Sequence, residues 1–559
     1  MAVIYISNQT SLTADDTPGY RLGTIPQFMS WLNTKSVLCC DTETSGMIDF
    51  NKSKVIMLQI GDAEDQFVID TRTVNVQFLR SYFEDSGILK IFHNAKFDVS
   101  MLRYSFGFVV ENVYDTFLVE CCLTTGKKDR KLGLDSLVEK YCGYRLISKE
   151  ERGSFSNVGS KPFTSTQILY GAGDLRYLLC IKENQEKEVE KLELNSVVDL
   201  ENKAVLALAE MEYNGIVLNP AEWLSLTEKA EQTVVEYENE LDSMVYNDPR
   251  LKRFKLQYVQ QDMFGGESRK VNIKWSSPLQ MKKLLEDLGI KGLEGTSEKE
   301  ITKYQNQYPL VKKFIDYKKQ QKLVTTYGRE FLGYINPATG RIHTNFWQIL
   351  ETGRLSSNEP NMQNIPAKPE YLACFKAPAG YKMVVGDYSG QELRMITQGS
   401  QDPVWVDAFN QGKDLHGEIA SMVFGIPITE VKSKPEFVFV GETKVYLRGK
   451  SPRDVAKTIN FMLAYGGSEF KLSGTLGITV DEAKAIITKY FEMVPKVKSF
   501  LSACAYYGVQ KGYIRSFKPY SLIRHFDGYD TNDMKQKGEV ERMSKNTPKL
   551  YGSMQLIAA

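Results

Sequence analysis

The stretch Val37–Gly46, VLCCDTETSG, begins as an apolar run and turns acidic. Read as a strand, its period of two places Asp41 and Glu43 on one face, two carboxylates side by side. Like charges so close repel, and a purely structural strand would rarely keep them together unless cations sat between them. A DxE pattern recurs by chance, so its neighbours decide its meaning. Apolar runs at 55–63 (VIMLQIGDA) and 88–96 (ILKIFHNAK) alternate with helical text over roughly the first 195 residues, which predicts an α/β region around a central sheet. HNAKFD supplies Asp98 after one of these strands, and LYGAGDLRYLL sets Tyr170 and Asp174 one helical turn apart on a shared face. Gly171 and Gly173 inside that helix each cost about 1 kcal/mol relative to alanine, so a backbone or substrate is expected to approach there closely.

Composition sets the outer limits. A chain of 559 residues should divide into three or four domains. Hydrophobic residues at 42% and charged residues at 25% suit a water-soluble globular protein, and no apolar run approaches the ~18 residues of a membrane span. The start lacks a basic leader and a long apolar stretch, so a cytoplasmic protein with no membrane partner is expected. The eight cysteines include the adjacent pairs Cys39, Cys40 and Cys121, Cys122, spacing that suits neither metal binding nor a disulfide framework; reduced, buried thiols follow. A net charge of +1 does not by itself mark a nucleic-acid binder. Its distribution is uneven: Arg250–Glu330 holds roughly twice as many basic as acidic residues, with Lys282, Lys283, Lys312, Lys313, Lys318 and Lys319 on helical text. Alone, that pattern reads as a solvated helical face. From about Ser196 the text is amphipathic helix, and after about Gly340 strands and helices mix again, without repeats or low-complexity segments.

A second constellation follows. TGRIHT, TGRLSS and PNMQNIP lead to MVVGDYSGQELRMI, where an apolar strand is expected to end in Asp387, followed by Glu392 and Arg394. After DLHGEIA comes RDVAKTINFMLAYGG, in which Arg453, Lys457, Phe461 and Tyr465 recur every four residues. On a helix these build one stripe, cationic first and aromatic further along. Such a stripe suits a nucleotide, its phosphates on the cations and its flat base and sugar against the rings.

The order DxE, NxxFD, YxxxD resembles the three motifs of the DEDD exonuclease superfamily in its tyrosine-containing subclass. The second set is similar to motifs A and B of the DNA polymerase I family (family A), and the resemblance runs from about Val37 to the last residue. It implies α/β and α+β multidomain architecture: an RNase H-like exonuclease domain followed by an incomplete right-hand polymerase domain. The divisions expected are 1–195 exonuclease, 196–340 thumb and start of palm, 341–400 palm with motif A, 401–545 fingers, and 546–559 a return to the palm. By the same resemblance Asp41, Glu43, Asp98 and Asp174 hold two divalent ions, Mg²⁺ with Mn²⁺ as substitute, and Tyr170 orients the attacking water. Asp387 and the backbone carbonyl of Tyr388 would hold a second metal pair. Glu392, held by Tyr465, would exclude a ribose 2′ hydroxyl; His416, Arg453 and Lys457 would grip the triphosphate of an incoming dNTP, with Phe461 beside it. Arg354, Gln363, Asn364 and Arg542 would contact primer–template DNA, and the lysine-rich helices would form a thumb that grips phosphates.

The sequence departs from the family pattern in four places. KSKPEFVFVGETKVYLRGK, at 432–450, alternates like an inserted β-hairpin. GYIRSFKPYSLIRHFDG lacks the usual basic cluster, and Leu550 stands where a DNA-contacting glutamine is expected. The chain ends on NTPKLYGSMQLIAA, before the hairpin that bears motif C, His-Asp-Glu. RHFDGYD precedes the NTP helix and is a poor substitute. The expectation is therefore a split, bacteriophage-like enzyme, working in the host cytoplasm if phage-encoded. A second polypeptide would supply motif C and the rest of the palm and bury the apolar end around Leu556 and Ile557. The competing readings are a DNA-binding 3′–5′ exonuclease whose polymerase half is inactive by itself, and a shortened single-chain enzyme. A processivity factor cannot be read from these residues.

Overall fold

The structure, a computed structural model, describes residues 2–8, 19–46, 53–146, 153–255, 260–261, 267–268, 271–464 and 466–558. It forms two compact units: Met1–Gly215 with Asn345–Asn358 and Gly386–Ala559, and Ile216–Thr344 with Glu359–Val385.

The first unit is built around a seven-stranded sheet: β1 (Ala2–Ile6), β2 (Arg21–Leu22), β3 (Val37–Thr44), β4 (Val55–Gly61), β5 (Asp65–Asp70), β6 (Leu89–Phe92) and β7 (Val113–Asp115). Their spatial order is β2-β1-β5-β4-β3-β6-β7, with β4 antiparallel to both neighbours and the other pairings parallel. Every residue of β4 is buried, as suits a central strand whose text is apolar except for Gln59. Opposite Asp41 of β3 stands Gln59 of β4, and the register shifts just after Glu43. Such an irregularity re-aims the side chains beside it.

One carboxylate organises the turn that carries Asp98. Asn94 adopts a left-handed backbone (φ 69°) before the helix Ala95–Phe106. Asp115, buried, accepts the backbone N–H groups of Asn94 and Ala95 at 2.9 and 2.8 Å and also caps the helix Thr116–Thr124 through Phe117 N–H at 2.9 Å. A left-handed turn leaves orphan amides at a helix start, and a buried carboxylate answers them at once.

The last helix, Thr547–Ala558, buries Leu550, Tyr551 and Met554. Leu550 and Met554 belong to the same apolar core as Phe28, Leu102 and Val119 beside the sheet, and Ile557 packs against it. An amphipathic helix buries its apolar stripe on whatever face is within reach, and for Leu550 and Met554 the chain's own core provides it. The side chain of Leu556 lies outside the described residues. RHFDGYD is also placed: Ile523–His525 pairs with Tyr513–Arg515, and Lys128 Nζ donates to the carbonyl of Gly528 at 3.0 Å.

A correction concerns Asp387. Residues 381–388 form no strand, and Val384 and Val385 are 92% and 86% exposed. A strand needs a neighbour to satisfy its backbone groups, and no described strand runs alongside. By contrast the inserted hairpin forms as its alternation predicts, Phe437–Val440 against Thr443–Tyr446.

The second unit packs the helices Pro220–Asn247 and Pro309–Tyr327 with a small antiparallel sheet in the order Ile335–Asn336, Arg341–Ile342, Ile216–Leu218, Phe375–Lys376. Trp223, buried, stacks on Phe331 with centroids 4.8 Å apart. No helix among the described residues is long and apolar enough to cross a membrane.

Candidate active sites

The helix Ser165–Leu175 starts with a capping box in which Thr164 Oγ1 accepts from Gln167 N–H at 3.2 Å while Thr164 N–H donates to Gln167 Oε1 at 3.0 Å. That fixes the helix start, and the helix lies against β3 and β4. A Cβ on Gly171 would stand 2.5 Å from Gln59 Nε2 and 3.0 Å from Met57 Sδ. Glycine is therefore what lets the helix approach the sheet. At Gly173 a Cβ would meet nothing within 4 Å, so no atom of the described residues accounts for that glycine.

The close approach assembles an acidic site. Carboxylate oxygens of Asp41, Glu43 and Asp174 all lie within 4.8 Å of one another, the only such group of three or more candidate metal ligands among the described residues. Asp98 is not in that group. It is buried, and its Oδ1 accepts a hydrogen bond from Thr42 Oγ1 at 2.6 Å. Three of the four expected acids thus converge within this distance, and Asp98 lies close enough for its charge to act on Asp41. Tyr170, half-buried, is on the same helix as Asp174, with its ring centroid 6.1 Å from that of Phe155.

Burial raises the Asp41 carboxyl well above its ordinary range, and the charges of Asp98, Asp174 and Glu43 push it further. Burial likewise pushes Asp98 up to about 7, against the hydrogen bond from Thr42. Carboxylates this crowded resist ionising together. An all-oxygen, all-acidic set that is unfavourable as it stands fits a hard divalent cation, which would favour the charged forms.

The second constellation is more open. Helix Pro452–Ala464 carries Arg453, Lys457 and Phe461; Tyr465 lies outside the described residues, as does its expected grip on Glu392. Arg453 is engaged by Asp414, both through Nε and through Nη2 at 3.1 Å, while Lys457 is exposed. Burial opposes ionisation of Asp414, yet the Arg453 guanidinium holds its carboxyl below the usual range. His416 Nδ1 lies 2.9 Å from Asn460 Nδ2, and its ring is 5.8 Å from Phe461. Burial lowers its pKa, Asp414 opposes, and the positive charges of Arg453 and Lys457 add to the fall. Glu392, on helix Gln391–Ser400, is ion-paired with Arg354.

Asp387 is exposed and Tyr388 is 55% exposed. A cleft of about 470 Å³ is lined by Tyr388, Gln391, Arg394, Tyr520 and Gln555. Arg542 is exposed in the first unit, whereas Gln363 and Asn364 are exposed in the second. Of the six lysines singled out in the second unit, Lys313 pairs with Glu240 at 2.7 Å, Lys319 with Glu298 at 3.1 Å, and Lys318 donates to the Thr296 carbonyl at 2.7 Å.

Sequence reading passed over Asp115, Asp414 and the Lys96–Glu212 pair at 2.6 Å. Asp115 and Asp414 each directly precede a helix, a signal that was available. The ionic partnerships join residues far apart in the chain and leave no local trace.

The family model for DNA polymerase family A matches residues 253–554, and that for a 3′–5′ exonuclease matches residues 24–190. The chain is 29% identical over 542 residues to DNA polymerase I of Borreliella burgdorferi, covering 92% of this chain and 54% of that protein. With DNA polymerase I of Rhizobium leguminosarum it shares 29% over 452 residues, covering 78% and 41% respectively. This chain spans about half the length of these relatives, which are bacterial. Among solved structures, the POL domain of Pol1 from M. smegmatis, in complex with DNA primer-template and dNTP, superposes with a TM-score of 0.76 at 23% identity, covering 96% of this chain and 86% of that one. The two family models place an exonuclease domain before a polymerase domain in this chain. The chain belongs to DNA polymerase family A.

Proposed function

We propose that this chain is the larger part of a template-directed DNA polymerase that proofreads with its own 3′–5′ exonuclease, and that a second polypeptide supplies a motif C carboxylate beside Asp387. The observation that carries the nuclease half is the convergence of Asp41, Glu43 and Asp174 within 4.8 Å. These three with Asp98 would hold two Mg²⁺ ions, or Mn²⁺, which when bound supply a hydroxide nucleophile and steady the leaving 3′ oxygen. Tyr170 orients the water that attacks the terminal phosphodiester of a DNA strand.

In the polymerase half, Asp387 and the Tyr388 carbonyl would hold metal, Glu392 excludes the 2′ hydroxyl, and Phe461 faces the base and sugar of the dNTP. Arg453, Lys457 and His416 take its phosphates; Arg453 exchanges Asp414 for phosphate as it does so. Arg354, Gln363, Asn364 and Arg542 position primer and template, and the lysine-bearing helices of the second unit grip the duplex backbone. Such an enzyme works in the cytoplasm, where its DNA is. The need for a second polypeptide is supported by the unpaired segment 381–388 with its exposed valines, and by Asp387 belonging to no cluster of acids among the described residues.

A second reading is a DNA-binding 3′–5′ exonuclease whose polymerase half is inactive by itself. It is favoured by two ion pairs, Arg354 with Glu392 and Arg453 with Asp414, which engage the groups nucleotide addition would use. Primer extension separates the two. The chain with Mg²⁺ should shorten a labelled 3′ end and extend it poorly; extension should appear on adding a polypeptide that bears His-Asp-Glu. Robust synthesis by the purified chain alone would defeat the two-polypeptide reading. Asp41→Ala should abolish digestion with DNA binding retained, and unchanged digestion would show the wrong carboxylates were chosen.

A further inference from the structure

The inserted hairpin has two apolar faces where a surface ribbon needs one. Its register pairs Phe437 with Tyr446, Val438 with Val445, and Phe439 with Lys444. The inward set, Val438, Val440, Val445 and Leu447, is buried in the core formed with Leu415, Ile486 and Val455. That set alone is enough to hold the hairpin down. The alternate positions should then be polar, since they face solvent. Instead Phe439 is 53% exposed, Tyr446 is 42% exposed, and Phe437 is partly exposed between them.

The rings are arranged as a platform with a cation upon it. Phe437 lies 5.7 Å from Phe439 and 6.2 Å from Tyr446, centroid to centroid. Lys444 Nζ sits 3.9 Å from the Phe437 centroid and 5.0 Å from that of Tyr446. Between Val431 and Ser451 five cations face two acids, Glu436 and Glu442, and Lys432, Lys434, Lys444 and Arg448 are exposed. Exposed rings with neighbouring lysines match the chemistry of an unpaired polynucleotide: every base has a face to stack, and every linkage has a negative charge.

The hairpin is also fixed to the nucleotide helix. Arg453 N–H donates to the Val431 carbonyl at 2.9 Å, so the segment entering the insertion is tied to the first turn of Pro452–Ala464, onto which the returning strand leads directly. On the polymerase reading above, which this inference presupposes, a templating base must be unpaired before the incoming nucleotide meets it. The strand ahead of that base is single.

We propose that the outer face of this hairpin stacks unpaired bases of the template strand as it approaches the helix bearing Arg453 and Lys457. The test is equilibrium binding, without nucleotide addition, of the whole chain carrying Asp41→Ala to stop digestion. Two probes are used: a blunt primer–template duplex, and the same duplex with a 5′ thymidylate overhang containing 2-aminopurine. Phe439→Ala with Tyr446→Ala changes solvent-facing side chains only, and an unaltered melting temperature confirms the fold. Expected is overhang-dependent tightening in the parent protein that falls about tenfold or more in the double variant, as loss of a stacked base predicts. The blunt duplex should bind both proteins alike, and the position-dependent change in 2-aminopurine fluorescence should vanish in the variant. Equal affinity of parent and variant for the overhang overturns the inference while leaving the polymerase reading intact. So does a variant that changes only the sedimentation of the protein, which would make the face a contact between protein chains. Binding of neither probe by the parent protein overturns both.

Discussion

Two glycines separated by one residue in the helix Ser165–Leu175 should respond to alanine with opposite signs. Each substitution brings the same helix-propensity gain, about 1 kcal/mol. At Gly171 the new methyl would enter space occupied by Gln59 Nε2 at 2.5 Å and Met57 Sδ at 3.0 Å. Both neighbours are fully buried, so neither side chain can swing into solvent. Overpacking of this kind costs about 1–3 kcal/mol. At Gly173 nothing lies within 4 Å and the gain stands unopposed. The difference between Gly171→Ala and Gly173→Ala thus isolates the overpacking, about 1–3 kcal/mol, or roughly 2–12 °C in melting temperature for a domain of this size. Thermal unfolding followed by circular dichroism, with chelator present, reads it directly. Asp174 is three residues beyond Gly171, so the strained variant should also lose 3′ digestion through displacement of its carboxylate. Melting temperatures that agree within a degree, with Gly171→Ala fully active, would refute the claim that glycine sets the distance between helix and sheet.

Burial that raises Asp98 to about 7 makes the folded protein hold a proton the unfolded chain gives up near pH 4, so this group's contribution to stability falls as pH rises from about 4 to 7. Asp98→Asn should therefore raise the melting temperature in chelator at pH 8 and do so much less at pH 5; the same increment at both would contradict the assignment. Asp414→Asn releases Arg453 from a partly exposed ion pair worth about 0–1 kcal/mol, and should tighten dNTP binding up to about fivefold. Weaker binding in a fluorescence titration would mean that Asp414 positions the guanidinium instead of competing for it. Met554→Ala removes a fully buried side chain and should cost about 2–5 kcal/mol, seen as a lowered unfolding midpoint in urea. No shift would show that the terminal helix is not seated on the core.

Motifs with local chemistry were legible from the sequence. The strand period at Asp41 and Glu43, the helical turn from Tyr170 to Asp174 and the alternation of the 432–450 insertion each carry their geometry within a few residues, and each forms as expected. The spacing of Asp98 places it on the helix beside the cluster, but not its hydrogen bond from Thr42, which joins residues 56 positions apart. The strand expected before Asp387 failed for a different reason: apolar text specifies an extended segment only when another strand exists to pair with it, and pairing is not a local property. Nor could text reveal that Arg453 would find Asp414, 39 residues earlier, or that Glu201 would be buried against Gln348 at 2.8 Å and pushed up to about 7 by that burial.

The apolar core beneath the sheet draws residues from both family regions: Ile349, Ile514, Leu522, Leu550 and Met554 share it with Leu38, Phe92 and Cys122. The nuclease sheet and the closing helices of the polymerase region are therefore not beads on a string. Limited proteolysis in the chain between them would free neither as a tidy fragment, because each would carry away a torn, greasy face. The site of Asp41, Glu43 and Asp174 is thus set in a scaffold the rest of the unit cannot shed, and any evolutionary loss of it must proceed by blunting its acids while keeping that scaffold.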